Sequence, residues 1–333
     1  MRILKFGGKS LSTPKKVQNV CKYIQKIYKK DKNLIVVVSA MGQTTDNLIV
    51  ESKLYCTGNA LDRELDVLLS TGETKSSALI SIMLNHMGVP ARSLQGWQIE
   101  LSTFGAHQYS QIAYINKEKF MECFENHEVA VVAGFQGINK NGDITTLGRG
   151  GSDTTACALG AIFGINTEIY SDFDGVFAGD PRLLNFKKIK SISSCTMKNL
   201  SKCGAKVIDE RAVSIAKKFN LDIISKSSSA PHRLGTTISN IEDDIIAISS
   251  KDDLCEISIV FSNISKSKII IKNVINEINK FDFYNFSVDN SKICFIINKT
   301  EKLKIIEMNS LLQLLFLFVY FEKIYQYLFV IPS

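Results

Sequence analysis

Glycine is missing from the last 98 residues of this 333-residue chain, since all 20 glycines fall between Gly7 and Gly235. That absence marks a change of architecture. The boundary falls near residues 230–245, where Ser227, Ser228, Ser229, Ala230 and Pro231, then Glu242, Asp243 and Asp244, supply turn formers and solvated charge. Histidine is also scarce: four widely separated His, and eight Cys with no C-x-x-C pair, offer no zinc-ligand spacing. With no signal peptide ahead of them, the cysteines read as reduced thiols of a cytoplasmic protein. No dense basic run occurs, because the 40 basic residues are mostly lysines scattered along the chain, so no nucleic-acid partner is indicated. The most apolar stretch, residues 311–331, is broken by Gln313, Glu322, Lys323 and Gln326. A membrane span needs about 20 predominantly apolar residues, so a core or interface helix is expected there and no membrane partner. No internal repeat is evident.

What is present is the composition of an ordinary globular protein, 45% hydrophobic and 22% charged. At roughly 100 to 200 residues per domain, the length suits one large domain and a smaller one. Charge divides unevenly: residues 1–240 carry +9 and the remainder −2, so the positive excess suits anionic ligands of the first part.

The first part alternates strand-like and helix-like segments. Residues 2–6 (RILKF) form a short apolar run, after which Gly7 and Gly8 turn the chain. Thr13 with Pro14 is an N-cap followed by proline at the first helical position, and Val17, Val20, Cys21, Ile24, Ile27 and Tyr28 give the helix to about Lys30 one apolar face. LIVVVS (34–39), VAVVAG (129–134), TEIYS (167–171) and DIISKS (222–227) read as strands, the first a continuous β-branched run of the kind buried on both faces of a parallel sheet. Helical patterns at 74–87, 152–163 and 209–219 separate them. Such alternation predicts an α/β layered fold with a largely parallel sheet, whose ligands sit at the carboxyl ends of strands. From residue 245 the tail reads β-α-β-β-α, with helices over 272–281 and from about Glu301.

Four segments after strands carry chemistry. Lys5-Phe6-Gly7-Gly8-Lys9-Ser10 ends a strand in paired glycines, either as a phosphate cradle or as a plain turn into a helix; the P-loop reading fails because Ile3 stands where that motif needs glycine. Ser39-Ala40-Met41-Gly42-Gln43-Thr44-Thr45-Asp46 offers hydroxyls to a polar ligand or to a helix cap. Leu69-Ser70-Thr71-Gly72-Glu73 precedes a predicted helix and puts Glu73 in its first turn, where the carboxylate either meets the helix dipole or awaits an ammonium group. Thr145 to Thr155 (TTLGRGGSDTT) is the most specific. It lacks the third glycine of the dinucleotide fingerprint but holds Arg149 among glycines at a helix start, suited to a carboxylate or phosphate. Ser171-Asp172-Phe173-Asp174-Gly175 follows a further strand and is not a protein-kinase D-F-G, since Asp174 intervenes and no H-R-D is present.

Eight blocks in order, KFGGKS, VVVSAMGQTTDNL, LSTGE, QGWQ, VVAGFQG, GDITTLGRGGSDTTA, YSDFDGVFAGDPR and GAKVIDERAV, resemble the aspartate kinases of the amino acid kinase family over about residues 1–240. The resemblance implies a three-layer αβα sandwich with a largely parallel open sheet as catalytic domain (1–240), followed by a small α+β ACT-like region (241–333). It implies transfer of the γ-phosphoryl group of ATP to the side-chain carboxylate of L-aspartate, the first step toward lysine, threonine and methionine. Mg²⁺ would accompany ATP without a metal site of the protein's own, and a homodimer or higher homo-oligomer is expected. A kinase for another small carboxylate, or a non-catalytic ATP- and amino-acid-binding regulatory subunit, are the alternatives.

Family roles carry over where the motifs match. Lys5, Asp153 and Lys206 would act in catalysis. Lys5, Phe6, Gly7, Gly8 and Ser10, with Ser171, Asp172, Phe177, Arg182 and Lys206, would form the nucleotide site. Thr45, Glu73, Arg149 and Ser152 would hold aspartate, Arg149 clamping a carboxylate and Glu73 pairing with the ammonium. Three departures stand out: Lys9 replaces a family Thr or Ser, Phe177 replaces Tyr, and Asp209-Glu210 replace a His-Pro pair before Arg211. The tail has room for one ACT module and a piece, and its lack of glycine predicts weak or absent amino-acid feedback.

Overall fold

A computed structural model describes residues 1–56, 61–178, 187–202, 205, 207–242, 247–251, 254–260, 283–288, 292–298, 318–323 and 327–331. The chain divides into two units, Met1–Ala247 with Ile331–Ser333, and Ile248–Val330.

In the first unit the elements run β1 (Arg2–Phe6), α1 (Pro14–Tyr28), β2 (Leu34–Val38), α2 (Thr44–Tyr55), α3 (Asp62–His86), β3 (Ala91–Leu94), β4 (Ser102–Phe104), β5 (Gln111–Tyr114) and α4 (Met121–Glu125). Then follow β6 (Val129–Ala133), β7 (Gln136–Ile138), β8 (Ile144–Thr146), α5 (Gly151–Phe163), β9 (Thr167–Ser171), β10 (Ser191–Ser193), α6 (Ser194–Lys202), α7 (Glu210–Lys218), β11 (Ile223–Ser227) and β12 (Thr236–Ser239). Eight strands make the main sheet in the order β10-β12-β11-β9-β1-β2-β6-β3, parallel throughout except where β12 runs against β11. A second, four-stranded sheet, β5-β4-β7-β8, is built from strands of only three or four residues.

Alternation along the central strands explains the layers. Leu34, Val36 and Val38 of β2 face one apolar cluster with Leu4 and Phe6 of β1, Ile24 of α1, and Ile80 and Leu84 of α3. Ile35 and Val37, with Ile3, face the opposite cluster, which contains Phe120 and the Ala156 and Leu159 of α5. Both faces of a parallel sheet are thus covered by helices, and a period of two inside a continuous apolar run sends its side chains alternately to each. Val20, Cys21 and Ile27 complete the buried stripe of α1, and Thr13 Oγ1 accepts from the Lys16 N–H at 3.3 Å as its cap.

Parallel register levels the strand ends. Phe6 pairs with Val38 and with Tyr170, and Val38 pairs with Ala133. Gly7, Ser39 and Gly134 therefore leave the sheet, and Ser171 ends β9, at one edge and at one height.

Two expectations are corrected. The predicted helix at 74–87 is the second half of α3, which begins at Asp62, so Glu73 lies in its middle and meets no helix dipole. Gly72 does not end a turn there: a Cβ on it would come within 2.8 Å of the Ala40 Cβ, so glycine lets the helix pass against the exit of β2. In the second unit the core or interface helix expected over 311–331 is replaced, in its described part, by strands β17 (Phe318–Lys323) and β18 (Tyr327–Ile331). The remainder of that helix from Glu301, and the one over 272–281, lie outside the described residues. That unit also contains β13 (Ala247–Lys251), β14 (Leu254–Val260), β15 (Phe283–Val288) and β16 (Lys292–Asn298). β15-β16-β14-β17 form an antiparallel sheet, and β13 pairs with β18. Among the described residues no helix is long and apolar enough to cross a membrane.

Candidate active site

A cleft of about 470 Å³ opens at the carboxyl ends of β1, β2 and β6. Seven residues named from sequence line it: Lys5, Gly8, Thr45, Glu73, Arg149, Ser152 and Asp153. They come from four separate segments, brought together by the common strand edge.

Ala40, two residues beyond β2, sets the floor. A Cβ on Gly8 would lie 2.3 Å from its carbonyl oxygen, so only glycine lets the turn after β1 come this close. The Ala40 N–H donates to Glu73 Oε1 at 2.9 Å across from α3. Glu73 is 3% exposed, and its Oε2 is buried with no hydrogen-bond partner among the described residues. Burial pushes this carboxyl up to about 7, against the opposing pull of the Ala40 amide and the Lys5 charge. A buried carboxylate oxygen left without a donor, beside a polar cleft, is shaped for a cationic ligand group.

Lys5 Nζ lies 2.5 Å from Asp153 Oδ1, a buried ion pair joining the end of β1 to the first turn of α5. Asp153 gains there from the helix N-terminus as well as from the ammonium. Ser152 is buried against Gly134, where any Cβ would clash with it at 2.8 Å. Thr45 stands in the first turn of α2, half-buried.

Arg149 is exposed on the loop from β8 to α5. Gly148 and Gly150 on either side take φ of 73° and 77°, a left-handed conformation that favours glycine. Two anchors, neither recognised from sequence, hold this loop. Arg211 of α7 donates from its guanidinium to the carbonyls of Leu147 and Arg149, and is itself held by Asp209 Oδ1 at 2.9 Å. Asp66 of α3, fully buried, accepts from Thr146 Oγ1 at 2.5 Å and from the Gln108 N–H at 3.1 Å, and pairs with His107 at 2.7 Å. The only sequence signal for the first anchor was the departure at Asp209 beside a family Arg; Asp66 is one acid among several in a helical stretch and gave none.

The remaining named residues surround the cleft without lining it. Phe6 is a core side chain stacked on Tyr170 at 4.8 Å, and the Gly7 N–H donates to the Tyr170 carbonyl at 3.0 Å. Ser10 is buried and its Oγ has no hydrogen-bond partner among the described residues. Ser171 Oγ accepts from the Phe173 N–H at 3.1 Å, Asp172 pairs with Lys9 at 3.0 Å, and Phe177 bridges to Lys188. Arg182 and Lys206 lie outside the described residues.

A family model described as the amino acid kinase family matches residues 1–224, two thirds of the chain. The chain belongs to the amino acid kinase family. Its similar relatives within that family include the aspartokinase of Geobacillus stearothermophilus, 38% identical over 265 residues, covering 78% of this chain and 65% of that one. The aspartokinase of Rickettsia felis is 34% identical over 310 residues, covering 90% and 77%. Among solved structures, E. coli aspartokinase III superposes with a TM-score of 0.78 at 18% identity over all of this chain and 88% of that one. The aspartate kinase of Synechocystis gives 0.63 at 27% identity, over all of this chain and 60% of that one. The chain thus spans just under two thirds of the Geobacillus relative's length. The layered kinase fold expected from the motifs agrees with these superpositions.

Proposed function

We propose that this chain is an aspartate kinase, transferring the γ-phosphoryl group of ATP to the side-chain carboxylate of L-aspartate to give 4-phospho-L-aspartate. The observation that carries the reading is Glu73, a buried carboxylate with one unpartnered oxygen, lining the same cleft as the exposed guanidinium of Arg149. An amino acid has an ammonium for the first and a carboxylate for the second. Aspartokinase relatives, and the E. coli aspartokinase III structure in complex with aspartate and ADP, support the choice of acceptor.

A side-chain carboxylate with a pKa near 4 is ionised at pH 7 and needs no general base. The difficulty is bringing it to an anionic phosphoryl group. Lys5 supplies positive charge from within the cleft, and its pairing with Asp153 fixes where that charge sits. Glu73 is ready to ionise on meeting the substrate ammonium, because an opposite charge at contact lowers a carboxyl pKa that burial alone had raised. Arg149, braced by Arg211 through its own carbonyl, orients the acceptor. The lining suits Mg-ATP, with Lys5 and Lys9 as cations beside a glycine turn. Mg²⁺ would come bound to the phosphates and neutralise charge during in-line transfer. Residues 1–240 form the catalytic domain in this reading, and 241–333 a shortened ACT-like region through which a homo-oligomer would assemble.

The test is purified protein with Mg-ATP, L-aspartate and hydroxylamine, which traps the acyl phosphate as a coloured hydroxamate. Product with aspartate, absent with glutamate and lost in Arg149→Ala, is the expected result. Mg-ATP binding without hydroxamate from any amino acid would leave a nucleotide-binding subunit in place of an enzyme.

A further inference from the structure

Lys9 lines the cleft beside the glycine turn after β1, and its surroundings give it a use. Gly8 before it is forced inward by the Ala40 carbonyl, and Ser10 after it is buried, so Lys9 alone in this turn projects outward, its side chain 69% exposed on the cleft wall. Its backbone is pinned: the Lys9 carbonyl accepts from Lys16 Nζ at 2.9 Å and from Ser12 Oγ at 3.1 Å. The ammonium reaches the Asp172 carboxylate at 3.0 Å and lies 6.0 Å from the centre of the Phe173 ring, so it spans two strand exits 163 residues apart.

The other cations lining the cleft are Lys5 and Arg149. Lys5 is already committed to buried Asp153, and Arg149 sits on the loop assigned above to the acceptor. Among the described residues the Lys9 ammonium is held by an exposed ion pair, a class worth about 0 to 1 kcal/mol, beside the Phe173 ring, so exchanging that carboxylate for a more highly charged anion costs little. A polyphosphate carries more negative charge than a single carboxylate, so the ammonium gains Coulomb attraction on the exchange.

We propose that Lys9 is a phosphate-contacting residue of this chain, releasing Asp172 and taking a polyphosphate oxygen when a nucleotide enters. This rests on the nucleotide reading of the cleft given above. A neutral hydroxyl at this position reaches a phosphate only through a short hydrogen bond; a lysine brings a full charge on a long arm, so its contribution falls as salt rises.

Calorimetric titration of the full-length protein with adenosine, ADP and a non-hydrolysable Mg-ATP analogue separates this role from that of a strap between two loops. Lys9→Met is expected to weaken the triphosphate analogue roughly tenfold and ADP less, leave adenosine unchanged, and raise the KM for ATP with little change in kcat. Lys9→Arg should keep most of the affinity. In an Asp172→Asn background, Lys9→Met should still weaken the triphosphate. If adenosine weakens as much as the triphosphate, or if Lys9→Met is silent in that background, Lys9 is a strap and the proposal fails. If the unaltered protein binds no nucleotide at all, the nucleotide reading itself falls, whereas equal binding by the unaltered protein and Lys9→Met refutes the Lys9 role alone.

Discussion

Replacing Glu73 by glutamine tests the electrostatics of the cleft directly. The carboxyl titrates near 4.5 in an unfolded chain and about 7 in the fold. Because the folded value is the higher, the fold keeps the proton longer than the unfolded chain does. Stability from this group is full below about 4.5 and is lost as pH rises to about 7, where the unfolded chain gains by ionising and the fold does not. At 1.36 kcal/mol per unit, the change over that window is about 3 kcal/mol. Glutamine has no such titration. Its Oε1 can still accept from the Ala40 N–H, and whatever its buried NH₂ costs is the same at every pH. The stability difference between Glu73→Gln and the parent should therefore move by about 3 kcal/mol in favour of the variant between pH 4.5 and pH 8. Urea unfolding followed by the single tryptophan, Trp97, reports on the first unit. In the parent, the KM for aspartate should fall severalfold from pH 6 to pH 7.5 as Glu73 ionises, and the variant should lose aspartate binding. A stability difference that stays constant across this range would refute the argument that burial controls Glu73.

Other consequences are more local. Arg149→Ala removes an exposed side chain, so the unfolding midpoint should hold while kcat/KM for aspartate falls roughly 10- to 150-fold, as for a lost charged hydrogen bond of about 1.5–3 kcal/mol. Arg211→Ala frees the Leu147 and Arg149 carbonyls, and steady-state kinetics should show the KM for aspartate rising more than that for ATP. Gly8→Ala drives a methyl to 2.3 Å from the Ala40 oxygen, and both hydroxamate formation and thermal stability should drop sharply. Burial pushes the Cys21 thiol up to about 12 and Cys123 to about 11, so peptide mapping after brief treatment with a thiol reagent at pH 8 should find exposed Cys195 modified and those two intact.

How much of this was readable beforehand follows from the range of each interaction. β1 and β9 coincide with the runs read from sequence, and β2, β6 and β11 agree to within one residue, because a strand buried on both faces writes itself as an uninterrupted apolar segment. The second sheet was missed, since β4, β7 and β8 have three residues each, too few for any period to register. The start of α3 was misplaced because Gly72 looks like punctuation when the neighbour that requires it, Ala40, is 32 positions away. In the tail, β17 and β18 carry Phe, Val, Tyr and Ile, a β-prone composition outweighed in the reading by the length of the apolar stretch. Motif residues such as Lys5, Glu73 and Arg149 converged where strand topology puts ligands, whereas their supports, Asp66 and Arg211, act across the fold and leave no local pattern.

Three contacts close on Ala40: one from the turn at Gly8 and two from α3, at Gly72 and at the carboxylate of Glu73. Two of those contacts are made to backbone atoms, which no substitution can trim. The size limit on this side of the cleft is therefore a property of the main chain, and evolution toward a longer acceptor would have little to change there. The loop of Arg149 meets a main-chain atom at Gly148, where a Cβ would lie 2.6 Å from the Gln108 carbonyl oxygen, but its other anchors are the side chains of Arg211 and Asp66, so a chain of this fold that accepted a larger carboxylate would be expected to differ in that loop and its side-chain anchors while keeping Gly8, Ala40 and Gly72 intact.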